Sequence, residues 1–232
     1  MTERRLRGRE LRGQVLAALQ LEDSDRALAV LGALPARQVV NPLFSFLCGS
    51  DRTVRWRAVT AMGAVVAKLA SEDMEVARVI MRRMIWQLNE ESGGIGWGLP
   101  EAMGETMARH EELAREYAHM LVSYIREDGN FLEHVPLQRG ILWGIGRLAQ
   151  TRPSVMEGAI PHVESFLVTA DASLRGLAAW IMGILRVEKA SGRLEALTGD
   201  RAEIVLYQQW REFRCTVGDL ARQALAALRE RP

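Results

Sequence analysis

Residues 51–63 read DRTVRWRAVTAMG, and this arrangement of apolar and small residues returns along the chain. Clear copies end at glycine in SGGIGWGLPEAMG (92–104), HVPLQRGILWGIG (134–146) and DASLRGLAAWIMG (171–183), and a weaker one is TVGDLARQALAA (216–227). With Ala226 taken as the equivalent point of the last copy, the spacings are 41, 42, 37 and 43 residues. Repeats of this length are typical of solenoid proteins.

Every copy carries the same apolar stripe with helical spacing. In the first copy the stripe consists of Val54, Ala58, Ala61, Met62 and Val65. The offsets i, i+4, i+7, i+8 and i+11 place these side chains on one face of a helix. A second amphipathic stretch precedes each copy, so each unit is predicted to be a helical hairpin. One hairpin cannot bury its stripe alone, and stacking solves this, which predicts an all-α solenoid of about five hairpins.

The repeat also resembles a known family. The segment PLFSFLCGSDRTVRWRAVTAMG (42–63) has a proline in the first helix, then an aspartate, Val-Arg, spaced alanines and a closing glycine. This pattern resembles the HEAT repeat, especially the short type named after phycobilisome lyases, and the segment around Pro161, Asp171 and Arg175 fits it again. The resemblance implies a right-handed solenoid in which the aspartate and arginine tie neighbouring repeats together. The glycine-rich copy at 92–104 is also similar to one in a bacterial HEAT-like family.

The chain is predicted to form a single repeat domain over residues 1–232. Residues 1–34 are expected to be N-terminal capping helices, 35–190 the regular repeats and 191–232 a C-terminal capping region. Within that region, apolar and polar residues alternate in EIVLYQQWREFRCT (203–216), which favours a small β-hairpin near 203–215 with its turn around Gln208–Gln209. A continuous helix is the alternative. Thr216 and Asp219 would form a variant capping box for the last helix.

Composition narrows the possible partners. The formal net charge is +1, so no overall field favours nucleic acid or a membrane surface. No apolar run reaches the length of a membrane span, and no membrane partner is expected. The two cysteines, Cys48 and Cys215, lie far apart and are interpreted as reduced thiols of a cytoplasmic protein. The four histidines are scattered over different units without ligand spacing, so neither a metal site nor a cofactor is predicted.

One strip of the predicted inner helices lies opposite the apolar stripe. It contains four of the six tryptophans, namely Trp56, Trp97, Trp143 and Trp180. Tryptophan on a face that the core does not need is typical of binding hot spots, which predicts a tryptophan-rich concave groove. Arg139 and Arg147 flank Trp143 and are included in this candidate site. The alternative is that each indole packs over a glycine of the next inner helix.

The glycine-rich copy is the other candidate site. By register, Ser92 and Gly96 replace the aspartate and arginine of the repeat, and Pro100 predicts that the helix begins near Leu99. The candidate binding residues are Glu90, Glu91, Ser92, Gly93, Gly94, Gly96, Trp97, Glu101 and Glu105. The acidic residues favour a cationic or amine group, although glycine backbone N–H groups can also bind anions. The alternative is a widened turn whose glycines allow close helix packing.

These features predict a scaffold that recognises a protein or peptide partner through the groove. Its oligomeric state is left open. A HEAT-like DNA glycosylase, or another nucleic-acid-binding protein, is the alternative, because Trp97, Glu101, Arg139, Trp143 and Arg147 resemble the aromatic, acidic and basic residues of such sites. The near-zero net charge argues against it, since affinity for DNA comes largely from phosphate contacts.

Overall fold

The computed structural model describes residues 8–89 and 96–230, which are mostly helical. The helices are α1 (Gly8–Leu19), α2 (Ser24–Gly32), α3 (Ala36–Leu47), α4 (Arg52–Glu72), α5 (Met74–Leu88), α6 (Leu99–Arg109), α7 (Glu111–Ser123), α8 (Val135–Thr151), α9 (Pro153–Met156), α10 (Ile160–Glu164), α11 (Ala172–Ile184), α12 (Ser191–Leu197) and α13 (Val217–Arg229). Strands β1 (Glu203–Gln208) and β2 (Arg211–Thr216) form a two-stranded sheet, and short 3-10 turns cover Glu157–Ala159, Ser165–Val168 and Glu188–Ala190. The predicted α-solenoid class is confirmed.

The chain divides into two compact units. The first extends to Leu113 and includes the hairpin tip Gln209–Arg211, whereas the second comprises Ala114–Gln208 and the chain from Glu212 onward. Helices α4 and α6 are the inner helices of the first unit, and α8 and α11 are those of the second. The prediction of a single repeat domain stays a prediction.

The repeated aspartate begins two of the inner helices. Asp51 accepts a hydrogen bond from the Val54 backbone N–H at 3.0 Å, and Asp171 accepts one from the Leu174 N–H at 2.9 Å. Each side chain therefore satisfies one of the donors that a helix leaves unpaired in its first turn. Helix α6 begins at Leu99 as predicted, with Pro100 in its first turn and Gly98 before it.

The apolar stripe forms the core, as predicted. The first position of the stripe is buried in the three copies where it is described: Val54, Leu137 and Leu174 are 6%, 8% and 3% exposed. The equivalent residue of the remaining copy, Ile95, lies outside the described residues. Later positions of the stripe are buried too, among them Met62, Met103, Ile145 and Met182.

An arginine at the register predicted by the HEAT resemblance ties elements of the second unit together. Arg175 on α11 donates from Nη2 to Asp200 Oδ2 at 2.7 Å and from Nη1 to the carbonyls of Thr169 and Ala170, each at 2.8 Å. Its guanidinium is thus fully engaged in holding the start of α11 and the loop before β1 together.

The predicted β-hairpin and the capping box at Thr216 and Asp219 are confirmed, so the continuous-helix alternative is wrong. The turn was expected around Gln208–Gln209, but it lies one residue later, at Gln209–Trp210. Both residues have positive φ, 48° and 69°, which the usual hairpin glycine or asparagine would adopt more easily. Trp210 is anchored instead: its indole N–H donates to the Leu21 carbonyl at 2.8 Å, and the Arg57 guanidinium lies 5.5 Å from its ring. This anchoring offsets the backbone cost.

Candidate functional site

Trp143 of the second unit packs against the protein's own hairpin. Its side chain is only 4% exposed, and the indole N–H donates to the Tyr207 carbonyl of β1 at 2.9 Å. The two aromatic rings lie 6.1 Å apart. Next to them, a Cβ added to Gly176 of α11 would come within 2.5 Å of Ile204 Cδ1, so β1 sits close to this helix as well. The hairpin therefore covers this part of the strip that the sequence assigned to a groove.

Trp180 packs over a glycine, as in the packing alternative, but the glycine belongs to the preceding inner helix and not to the next one. Its ring lies directly over Gly146 of α8, where any added Cβ would clash with the indole, and the residue is 9% exposed. Gly146 is thus small because the indole needs the space. The ring also forms one wall of an open, apolar pocket of about 180 Å³ between α11 and α13, which Gly183, Leu220 and Ala224 line as well.

The basic residues predicted beside Trp143 also belong to the second unit. Arg139 makes a bidentate pair with Asp171, with Nε at 3.2 Å from Oδ1 and Nη2 on Oδ2. Arg147 is half-buried on α8. Arg139 therefore has a structural partner, the N-cap residue of the next inner helix. Of the five residues of the DNA-binding alternative, Trp97 and Glu101 lie in the first unit and the other three in the second.

Trp56 and Trp97 of the first unit differ from their two equivalents. Trp56 lies on α4 and Trp97 in the turn before α6, and both remain partly exposed. Thr60, one turn after Trp56, is partly exposed as well. Trp56, Thr60, Trp97 and Glu101 are called here the α4–α6 strip.

The glycines that precede α6 have packing and backbone roles where they are described. Gly98 has a φ of +73°, in the left-handed region, and an added Cβ would come 3.2 Å from the Leu47 carbonyl oxygen. A Cβ on Gly96 would come 2.9 Å from Leu88 Cδ2. The packing alternative therefore explains these two. The other predicted residues of this stretch, Glu90, Glu91, Ser92, Gly93 and Gly94, lie outside the described residues, and their role stays a prediction.

Glu101 is a buried carboxyl in the first turn of α6. Its Oε2 atom is inaccessible to solvent and has no hydrogen-bond partner among the described residues, although the residue as a whole keeps some exposed surface. Burial raises the pKa of Glu101 to about 7, against the opposing effects of a backbone hydrogen bond and the nearby Arg55 guanidinium. The group therefore exchanges its proton near neutral pH, which is unusual for a residue with only a structural role.

Arg55 completes the site, although it is the arginine of the Val-Arg pair in segment 42–63, to which the HEAT resemblance gives only a structural role. It occupies the same register on α4 as Arg175 on α11. Within the described ranges, its guanidinium makes neither a hydrogen bond nor an ion pair; its backbone N–H bonds to Asp51. Its charge acts on Glu101 and on the Cys48 thiol at the end of α3. The signal that could have revealed it is the replacement of the next repeat's aspartate by Ser92.

Glu105 has a structural role, although it was predicted to act beside Glu101. It is 3% exposed, and its Oε1 accepts a hydrogen bond from Arg109 Nε at 2.6 Å. Its side chain also fills the space left by Gly63 of α4, where an added Cβ would come 2.5 Å from Glu105 Cγ. The carboxylate is thus neutralised by Arg109 and helps to pack α4 against α6.

Over residues 8–89 and 96–230, no cluster of three or more metal-ligating side chains occurs. In the same ranges, no helix is both long enough and apolar enough to cross a membrane.

The fold is similar to those of engineered repeat proteins. One engineered protein of known crystal structure is 12% identical over 94% of this chain and 96% of its own, with a TM-score of 0.53. A second is 14% identical over 95% of this chain and 58% of its own, with a TM-score of 0.51, and a designed armadillo repeat protein is 17% identical over 94% and 99%, with a TM-score of 0.49. No protein-family model and no curated protein matches the chain. The two likenesses with TM-scores above 0.5 support the helical fold alone, without an assignment to the HEAT or phycobilisome-lyase type.

Proposed function

We propose that this protein is a helical-repeat scaffold, of the HEAT type that its sequence resembles, and that it binds a peptide segment of another protein through the α4–α6 strip. One contrast carries the proposal. Among the four tryptophans at equal register, Trp143 and Trp180 are buried by internal contacts, whereas Trp56 and Trp97 keep accessible surface, and Glu101 of the same strip has a solvent-excluded oxygen.

The chemistry of the strip suits peptide recognition. Tryptophan offers a large contact area with only two rotatable side-chain bonds, so little conformational entropy is lost on binding. The buried polar atom of the strip, which has no partner among the described residues, supplies direction, because a ligand that pairs with it gains a hydrogen bond that other ligands do not. The strip thus combines the apolar walls and the polar anchor that specific sites usually contain.

Partner capture with matched variants tests this function. The protein, Trp56→Ala and Trp97→Ala are immobilised and exposed to lysate, captured proteins are identified, and the affinity of a purified partner is then measured. Trp86→Ala is the matched control, because Trp86 is 63% exposed on the outer helix α5 of the same unit and is not part of the strip. We expect both strip variants to weaken the partner at least tenfold, or about 1.4 kcal/mol, and the control to leave it unchanged.

Two results would contradict the proposal. In one, both strip variants melt like the parent and retain every partner. In the other, the protein binds duplex DNA with an affinity that falls steeply as salt rises, since a steep dependence marks a surface that contacts several phosphates.

A further inference from the structure

The structure changes which ligand charge the α4–α6 strip favours. From sequence, four nearby glutamates indicated a cationic ligand. Glu105 is neutralised by Arg109, and the carboxyl of Glu101 is buried. Arg55 is the described residue whose charge acts on the pKa of Glu101. The described part of the site therefore presents a cation and a buried acid.

The guanidinium of Arg55 can bind an acidic group that the described residues of the chain do not supply. The equivalent arginine in the second unit, Arg175, is bonded to Asp200 and to two backbone carbonyls. A guanidinium has five N–H donors in a planar fork that fits a carboxylate through two parallel bonds. The position where the repeat pattern would place the matching aspartate is Ser92, which has no charge to offer.

We propose that Arg55 and Glu101 together bind a carboxylate of the partner peptide, with Arg55 pairing with the carboxylate and the protonated Glu101 donating an O–H hydrogen bond to it. This rests on the proposed function, that a peptide occupies the α4–α6 strip. The carboxylate is that of an aspartate or glutamate side chain or of a chain terminus. It satisfies both the Arg55 guanidinium and the carboxyl group of Glu101.

Charge and hydrogen bonding favour this ligand over an amine. A hydrogen bond from a neutral acid to a carboxylate is short and charge-assisted, and the positive charge of Arg55 balances the negative charge of the ligand. An ammonium ion, in contrast, would have to ionise Glu101 while lying in the field of Arg55. Because the pKa of free Glu101 is already about 7, the proton that the bound state needs is present in much of the protein at neutral pH.

Several charged residues of α5 and α6 have partners of their own. On α5, Arg78 contacts Glu75 and Glu112, and Arg82 also pairs with Glu75. On α6, Arg109 pairs with Glu105. At the end of α3, the Cys48 thiol has its pKa raised by burial and lowered by Arg55, so it remains neutral near pH 7. The pH dependence of binding should therefore follow Glu101.

Titration with a pair of small probes tests the proposal. Acetyl-alanyl-alanine with a free carboxylate and its C-terminal amide are titrated into the full-length protein at pH 6 and pH 8. Binding is followed by the NMR signals of the Trp97 indole and of the Glu101 side-chain carboxyl carbon. We expect the free acid to bind, the amide to bind at least tenfold more weakly, and the affinity of the acid to fall about tenfold from pH 6 to pH 8 as Glu101 loses its proton.

Two variants separate the roles of the pair. Glu101→Gln keeps an N–H donor at the same place, so it should still bind the free acid and lose the pH dependence. Arg55→Gln removes the charge, so it should lose most of the affinity for the acid. A variant that fails to fold does not leave the question open, because the pH dependence and the acid–amide comparison are measured on the unmodified protein.

Several outcomes would overturn the carboxylate assignment. They are equal binding of acid and amide, tighter binding at pH 8 that disappears in Glu101→Gln, or no NMR response to any probe at tens of millimolar. These outcomes are distinguishable from failure of the proposed function, because the parent protein can still capture its partner, and Trp56→Ala and Trp97→Ala can still lose it, in each case. The strip would then still bind its partner, but through another chemical group.

Discussion

The buried carboxyl of Glu101 should make stability depend on pH in a way that one substitution removes. Burial raises the pKa of Glu101 from 4.5 to about 7. A raised carboxyl pKa contributes stability that is fully present below 4.5 and is lost as pH rises through 7, because over this range the unfolded chain releases the proton of Glu101 while the folded protein still holds it. At about 1.36 kcal/mol per pH unit, the loss amounts to about 3 kcal/mol by pH 8.

Glu101→Gln has no proton to lose, so its stability should not show this fall. We expect the variant to gain about 3 kcal/mol relative to the parent between pH 4.5 and pH 8, whatever their difference at pH 4.5. Urea unfolding at the two pH values measures the change, and Glu72→Gln at the exposed end of α4 is the control, for which no such gain is expected. A gain of less than about 1 kcal/mol would show that Glu101 is solvated in solution and would refute the reasoning.

Three further substitutions test the packing and the backbone. Met103→Ala and Leu174→Ala each remove a buried side chain of the apolar stripe and should cost about 2–5 kcal/mol of unfolding free energy, as measured in urea; values well below 1 kcal/mol at both sites would disprove the repeat register. Gly98→Ala should cost about 1–2 kcal/mol, because alanine is strained at a φ of +73°, and an unchanged melting temperature would contradict that geometry. Trp210→Phe should cost about 1–3 kcal/mol in urea unfolding, since it leaves the Leu21 carbonyl without its donor; a neutral effect would mean that water replaces the indole.

Periodicity was sufficient to predict the repeats, because burial of a stripe such as Val54 to Val65 follows from local helical spacing. The burial of Trp143 under the hairpin could not be predicted in this way. Its covering partner, Tyr207, lies 64 residues away, and the turn at Gln209–Trp210 lacks the residues by which hairpins are usually recognised. The alternation of apolar and polar residues predicted the two strands, but it did not indicate that they would cover Trp143.

The residues of the candidate site could likewise be predicted only in part from the sequence. Trp97 and Glu101 were predicted from their place opposite the stripe, which depends only on register. Arg55 was not, because its local sequence matches a structural arginine of the repeat; what distinguishes it is the partner that the next repeat lacks. The protonation of Glu101 was also beyond the sequence, since it depends on how far packing excludes water from one oxygen atom.

The contact of Trp210 with Leu21 has a consequence for how this chain unfolds. In an open array, each repeat touches only its neighbours, so either end can fray while the rest stays intact. Here a hydrogen bond joins residues 189 positions apart, and the hairpin tip is part of the first compact unit. Closing a loop of that length costs about 5 kcal/mol of chain entropy, so this contact should form late in folding, after the helices have assembled. Deleting the hairpin tip would then loosen the turn after α1, and the backbone amides of these two segments should lose their exchange protection together rather than one after the other.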